Sequence, residues 1–409
     1  MTSPYFLTKK RTGTKEITEN GIHDVTNYAS VNVSAPCQTQ ITPLTITENG
    51  IYEAPENTAF NPVTVSISGY TLADILERRS YQSASTISGS ASFIADGAFI
   101  LTNIKNANFS SCTAIGAAAF SWCTSLATVS FPSCTTIGSY AFYSCTSLTS
   151  VSFPVCTTIG SNAFQWCTSL ASVSFPMCNI IEYSAFATCS SLTSISFPAC
   201  TTIRSYAFRG CISLTSVLFP SCTTIEYYAF GGCTSLTSVS FTECETIGSN
   251  AFYSCSSLTS ISFPSCTTIG SNAFYSCSSL TSISFPSCTT IRSVAFQLCT
   301  SLASVSFPSC TTIGYGAFLS CISLTSVSFP SCTTIESYAF RWCTNLISLN
   351  LTGVSSVPTL GTNVFSYTPI GGYSTVAGQY GSVYVPASLY NAFTTATNWS
   401  AISSRIVGV

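Results

Sequence analysis

One 22-residue unit constrains everything this chain can fold into. Its cleanest copy is Ser133–Pro154, S-C-T-T-I-G-S-Y-A-F-Y-S-C-T-S-L-T-S-V-S-F-P, and copies follow one another from Cys112 to about Gly353. Cysteines recur every 22 residues from Cys112 to Cys332, and a second column runs from Cys123 to Cys343. Ile115 to Ile335, Phe120 to Phe340 and Leu126 to Leu346 keep the same step, and the column Phe131 to Phe329 closes as Leu351. A fixed period of this length marks a solenoid, propeller or array. With no insertion anywhere, each copy makes one coil and equivalent residues stack.

Within a copy the apolar spacing changes. Val151 and Phe153 alternate as on a strand with one face buried. Ala141, Phe142 and Cys145 fit a short helical or 3₁₀ turn. Pro154 cannot donate to a ladder and ends the strand, and Gly138 suits the turn before the helical piece. A single copy cannot enclose its apolar groups, so burial requires neighbours on both sides. The expected fold is a repeat solenoid with one short strand and one helical or 3₁₀ turn per repeat.

The pattern L-x-x-V-x-F followed by C-T-T-I-G-S-x-A-F resembles the BspA-type leucine-rich repeat over roughly Ile94 to Leu351. The resemblance implies a leucine-rich-repeat solenoid and a role among bacterial surface adhesins and related binding proteins. The second cysteine column departs from the family pattern.

Charge and cysteine content narrow the function classes. Only 6% of residues are charged and the net charge is −2. There is no basic face for nucleic acid, weak mutual repulsion permits self-association, and no apolar run reaches membrane-spanning length. Met1–Arg11 lacks an apolar core, so no secretory signal peptide is visible. Of 23 cysteines, 22 obey the repeat and Cys37 stands apart. Two regular columns read as buried small hydrophobes, with oxidation of a minority as the alternative. One histidine, His23, and no C-x-x-C give zinc no ligand set, and catalysis no acid–nucleophile setting. No metal, cofactor or enzymatic activity is expected.

Outside the repeats the chain divides as follows. Residues 1–15 form a polar tail with Lys9, Lys10 and Arg11. Residues 16–68 hold two related segments, I-T-E-N-G-I-H at Ile17–His23 with Val31–Val33, and I-T-E-N-G-I-Y at Ile46–Tyr52 with Val63–Val65. Asn-Gly between apolar strands is a hairpin signal, giving two small β modules. Residues 69–91 are an amphipathic helix (Thr71 to Arg79) and a Ser-rich linker, 92–353 the solenoid with an imperfect capping repeat first, and 354–409 an α+β C-terminal cap in which Ser388 caps a helix through Phe393. The I-T-E-N-G segments look like those near the N-termini of phage tail-associated proteins. The ending Y-V-P-A-S-L-Y…N-W-S…R-I-V resembles that of phage-encoded and gut-bacterial proteins with this repeat. These resemblances imply attachment of the N-terminal modules to a virion or surface assembly, and an extracellular or virion-associated location.

The repeats form a comparison set within one chain. Variation concentrates in the turn, where large rings and arginines appear: Tyr140, Tyr143, Trp166, Tyr183, Arg204, Tyr206, Arg209, Tyr227, Tyr228, Tyr253, Tyr275, Tyr338, Arg341 and Trp342. Stacking puts them in one sector. Tyr, Trp and Arg dominate binding hot spots, so the sector is a candidate face for a host-cell or mucosal glycan or protein. Drift at exposed sites, with rings packing across rungs, accounts for the same variation. The expected function is therefore non-enzymatic, adhesin-like binding. The alternative is a structural protein that polymerises into filaments through solenoid ends or N-terminal strand exchange.

Overall fold

The computed structural model describes residues 85–373 and 379–409, together with the backbone of four short strands before them: Ser30–Ser34, Ile46–Thr47, Gly50–Ile51 and Thr64–Ser68. The polar tail, the Ile17–His23 segment, Cys37 and the expected helix from Thr71 to Arg79 lie outside the described residues.

Each 22-residue copy makes one coil, as the period requires. The S-V-S segments pair parallel with register shifts of one repeat, Val151 opposite Val173. A second strand, which sequence reasoning missed, is the two-residue T-I segment. Thirteen such segments, from Phe93–Ile94 to Thr359–Leu360, form one continuous parallel sheet, with Ile137 opposite Ile159. Two residues are too few to show a period, so this strand is illegible within a single copy.

The core is a set of columns. Phe99, Phe120, Phe142 and their successors to Phe340 stack with ring centroids 5.0–5.4 Å apart and planes within 13°. A second column from Phe109 to Phe329 stacks at 5.3–6.0 Å, meeting the first edge-on in most rungs. Each ring is essentially excluded from water, and burying one contributes roughly 1.5–3 kcal/mol.

The A-F turn is neither α nor 3₁₀. Its residues at two positions four apart hold left-handed φ: Tyr140 (59°) and Ser144 (56°), then Asn162 (60°) and Trp166 (65°), and so through the stack. The consequence is an alternation of hydrogen bonds. Ala141, Tyr143 and Cys145 N–H groups donate back three residues within the turn, to Gly138, Tyr140 and Phe142. Tyr140, Phe142 and Ser144 N–H groups donate instead to Ser161, Ala163 and Gln165 of the next rung at 2.7–2.9 Å. The six amides of residues 140–145 are thereby satisfied, half of them along the solenoid axis. Gly138 is not the left-handed residue. A Cβ there would sit 2.6 Å from the Gly116 carbonyl carbon, so its role is close approach of successive backbones.

All 22 repeat cysteines are buried free thiols. In the first column Cys134 Sγ donates to the Thr136 carbonyl at 3.2 Å, and in the second Cys145 Sγ donates to Phe120 at 3.1 Å. Burial pushes the thiols up, Cys156 to about 11 and Cys167 to about 12. They are core groups, not nucleophiles.

The ends are closed differently. Thr64–Ser68 pairs antiparallel with Ser30–Ser34 and parallel with Thr86–Gly89, extending the solenoid sheet, while Ile46–Thr47 and Gly50–Ile51 form a tight hairpin. Thr86–Gly89, within the Ser-rich stretch read as linker, is thus a strand, and Ile87 is fully buried. At the other end Phe365 continues the first ring column 6.0 Å from Phe340, and buried Trp399 covers it at 6.2 Å, its Nε1 donating to the Pro358 carbonyl. The helix there is Tyr390–Thr395. Its N-cap is Leu389 with no side-chain cap, so Ser388 does not cap it and lies instead in the preceding 3₁₀ turn Ala387–Leu389. Strands Ser382–Val385 and Ile406–Gly408 add in parallel to the last rung.

Candidate functional site

The left-handed columns explain where variation is tolerated and what it costs. Asn162, Asn250, Asn272 and Gly316 are residues that accept positive φ, and so are Gly210 and Gly232 in the second column. Tyr140, Tyr206, Tyr228 and Tyr338 occupy the first column, and Trp122, Trp166 and Trp342 the second, all with φ between 53° and 65°. A ring-bearing residue held there costs about 1–3 kcal/mol relative to an ordinary conformation. Ala118, Ser184 and Val294 in the first column and Thr188 and Leu298 in the second hold the same φ, so the turn imposes it on every residue type and rings are one of several solutions.

These side chains form three groups along the stack. In the first, Trp122 meets Tyr143 edge-on at 5.6 Å, and Tyr143 packs on Tyr140. The second spans five rungs: Tyr183, Tyr206, Tyr228, Tyr253 and Tyr275 touch in succession at 4.9–5.6 Å, with Tyr227 against both Tyr206 and Tyr228. Arg209 lies over the Tyr206 and Tyr228 rings, 5.7 and 6.0 Å from their centroids. Burial, then the Tyr227 hydroxyl, raises the Tyr206 phenol above its ordinary value. The third gathers Tyr315, Tyr338, Arg341, Trp342, Tyr367 and Tyr373. Trp166 is 45% exposed and has no ring partner among the described residues.

Arg204 differs from the other arginines. Its Nη1 donates to Glu226 Oε1 at 3.0 Å, while Glu226 Oε2 accepts from the Ser205 amide and hydroxyl. Glu336 likewise accepts from the Tyr315 amide at 2.7 Å. Carboxylates in the Gly138 column thus staple one rung to another, and Arg204 is committed to that staple. Sequence reasoning missed Tyr315, Tyr367 and Tyr373. Tyr315 replaces the usual serine of the turn, a visible signal; Tyr367 and Tyr373 lie past the last regular copy.

The face of the S-V-S strands is quieter. Ser282, Ser304, Ser306, Ser326 and Ser328, with the edges of Ile283 and Val305, line a shallow groove of about 510 Å³. Among the described residues no group of His, Cys, Asp or Glu is arranged to hold a metal, and no helix is long and apolar enough to cross a membrane.

A succession of parallel coils with short strands, buried ring columns and an extended ridge defines a leucine-rich-repeat solenoid, a fold that presents a surface rather than a closed catalytic site. The family model for the BspA type leucine rich repeat region matches residues 92–212, 179–288 and 267–376. The chain belongs to the BspA-type leucine-rich repeat family. Its fold is similar to that of a leucine-rich repeat protein from Bacteroides ovatus, at 23% identity over 93% of this chain and 98% of that one, with a TM-score of 0.55. It is also similar to a leucine rich cell surface protein from Faecalibacterium prausnitzii (24% identity, 73% of this chain, 92% of that one, TM-score 0.42) and to the pneumococcal vaccine antigen PcpA (17%, 86% and 94%, TM-score 0.46). No curated protein matches the chain.

Proposed function

We propose that the protein is a non-enzymatic, adhesin-like binding protein, extracellular or virion-associated, that contacts host-cell or mucosal glycan or protein through the ridge of tyrosine, tryptophan and arginine. The observation that carries this reading is the Tyr183–Tyr275 run, in which rings touch in succession across five rungs, Tyr206 and Tyr228 in left-handed backbone, and Tyr183 and Tyr227 remain 47% and 41% exposed. Exposed rings offer apolar faces to sugar C–H groups and to apolar side chains, with hydroxyls at the rim. Membership of a family with surface-protein relatives supports the location. Attachment to a virion or surface assembly through the N-terminal strands belongs to the same proposal, supported by the paired I-T-E-N-G segments.

The test is the variant Tyr206→Ala, Arg209→Ala, Tyr227→Ala, Tyr228→Ala, compared with the unaltered chain on immobilised mucin and a glycan array. At least tenfold weaker binding, with an unchanged circular dichroism spectrum, is expected. Equal binding by the folded variant, or no binding by the parent to any surface, contradicts the proposal.

A second reading has its own observation. Among the described strands, Ser30–Ser34 and Ile406–Gly408 are outermost and each leaves one edge unpaired. Open edges can add strands from another copy. This favours end-to-end filaments, and electron microscopy separates long regular fibres from isolated rods.

A further inference from the structure

The third aromatic group borders a cleft. Its volume is about 540 Å³, and it is lined by Tyr338, Arg341, Asn363, Ser366, Tyr367 and Tyr373, together with Gly371 and Gly372. That is within the range of small-ligand sites. The wall bearing Tyr373 is a built turn. Fully buried Thr368 donates its hydroxyl to the Phe365 carbonyl at 2.7 Å and accepts from the Gly371 amide at 3.0 Å. The Tyr373 amide returns to the Thr368 carbonyl at 2.9 Å. Gly372 holds φ of 90°, and a Cβ on Gly371 would collide with the Phe365 carbonyl. The sequence I-G-G-Y is thus required to turn the chain and set Tyr373 edge-on to Tyr367, 5.9 Å away.

Arg341 is the group that gives the cleft a chemical preference. Its guanidinium lies 5.2 Å from the Tyr338 centroid and 5.7 Å from that of Tyr367. Its Nε is buried with no hydrogen-bond partner. Unlike Arg204, it has no carboxylate partner among the described residues. A buried, unmatched donor on a charged group is costly, and a planar carboxylate or similar oxyanion is the ligand whose geometry meets a guanidinium edge. The remaining lining defines what bears that carboxylate. Tyr367 is braced from behind by Trp342, whose ring stacks on it at 3.9 Å and 5°. Ser366 donates to Asn363 Oδ1 at 3.3 Å, which leaves the amide N–H groups of Asn363 for a ligand. Three phenolic rings with one amide and one hydroxyl match a ring that is apolar on its faces and hydroxylated at its rim.

We propose that this cleft binds an acidic sugar, its carboxylate on Arg341 and its ring among Tyr338, Tyr367 and Tyr373. The proposal rests on the ridge being a glycan-contacting surface, and names for one end of it the ligand class.

The probes are methyl β-glucuronide and methyl β-glucoside, which differ at C6, carboxylate against hydroxymethyl. Binding to the full chain is followed by ligand-observed NMR at low ionic strength. The glucuronide is expected to bind at least tenfold more tightly than the glucoside, with the advantage shrinking as salt is raised. Arg341→Gln should abolish the difference between the two sugars, and Tyr367→Ala should weaken both. Should Arg341→Gln fail to fold, Arg341→Lys keeps the charge but loses the planar fork, and is expected to bind the glucuronide at least fivefold more weakly. Equal affinity for the two sugars, a preference unaffected by either Arg341 variant, or tighter binding of an acidic peptide overturns the proposal. The variant lacking Tyr206, Arg209, Tyr227 and Tyr228 keeps this cleft, so it should bind glucuronide as the parent does. Loss of mucin binding in that variant without any glucuronide preference in the parent sinks the cleft and leaves the ridge standing. Glucuronide binding without mucin binding does the reverse.

Discussion

The buried thiol columns make stability depend steeply on alkaline pH. In the folded chain burial raises the thiols from an ordinary value of 9.0, to about 11 at Cys156 and about 12 at Cys167. An unfolded rung therefore releases two protons above pH 9 that a folded rung retains. With the folded values raised, the stability is fully present below pH 9 and is lost as pH climbs toward 11–12. The slope is about 1.4 kcal/mol per pH unit for each thiol, or about 2.8 per two-cysteine rung. Net stability of folded chains is roughly 0.05–0.15 kcal/mol per residue, only about 1–3 kcal/mol over one rung. The titration overtakes it within about one unit above pH 9, so the solenoid should unfold between about pH 9.4 and 10.1. Tyr206 and Tyr228, raised first by burial, add an effect of the same sign. The assay is urea unfolding followed by circular dichroism under anaerobic conditions at half-unit steps from pH 8. Replacing Cys145, Cys167 and Cys189 with alanine should flatten the slope. A stability unchanged from pH 8 to 10.5, or a slope unaffected by the triple variant, would refute the reasoning.

Other outcomes follow from the same columns. Phe252→Ala removes a ring stacked at 5.3 and 5.2 Å between Phe230 and Phe274, and because its amide is pinned to Ala273 of the next rung the site cannot collapse; denaturant unfolding should report a loss of about 3–5 kcal/mol, against under about 1 kcal/mol for Tyr253→Ala. Excision of residues 255–276, one whole period, should leave a folded, shorter solenoid, whereas excision of 255–275 should abolish the near-native circular dichroism spectrum, since every later column slips by one. Alkylation followed by mass spectrometry without reductant should modify none of the 22 column thiols in the native state and all of them in denaturant; fewer than half reacting after unfolding would mean the columns are oxidised.

How much of this was legible depends on whether side chains or backbone carry the feature. The Phe142 and Cys145 columns are written in the period, because burial demands the same residue type at every step. The left-handed turn was not, since Tyr140 or Trp166 gives no hint of positive φ; only Asn162, Asn250, Asn272 and Gly316 in one column, and Gly210 and Gly232 in the other, betray it. Inter-rung amide bonds are backbone features that leave no residue signature, so the turn read as helical. Thr86–Gly89 was hidden because one buried residue, Ile87, among serines looks like linker. The ridge was legible as a list of rings, but its division into three groups, and the commitment of Arg204 to Glu226, needed coordinates.

The central claim is that each 22-residue copy is one coil packed only on its predecessor and successor. Methyl–methyl nuclear Overhauser effects in protein labelled at isoleucine test it most directly. The account predicts an unbroken chain of contacts in which Ile137 sees Ile115 and Ile159, Ile159 sees Ile181, and so on to Ile335, as the in-register strand pairs require. Contacts that skip a copy, or copies with no contact to the next, would contradict it.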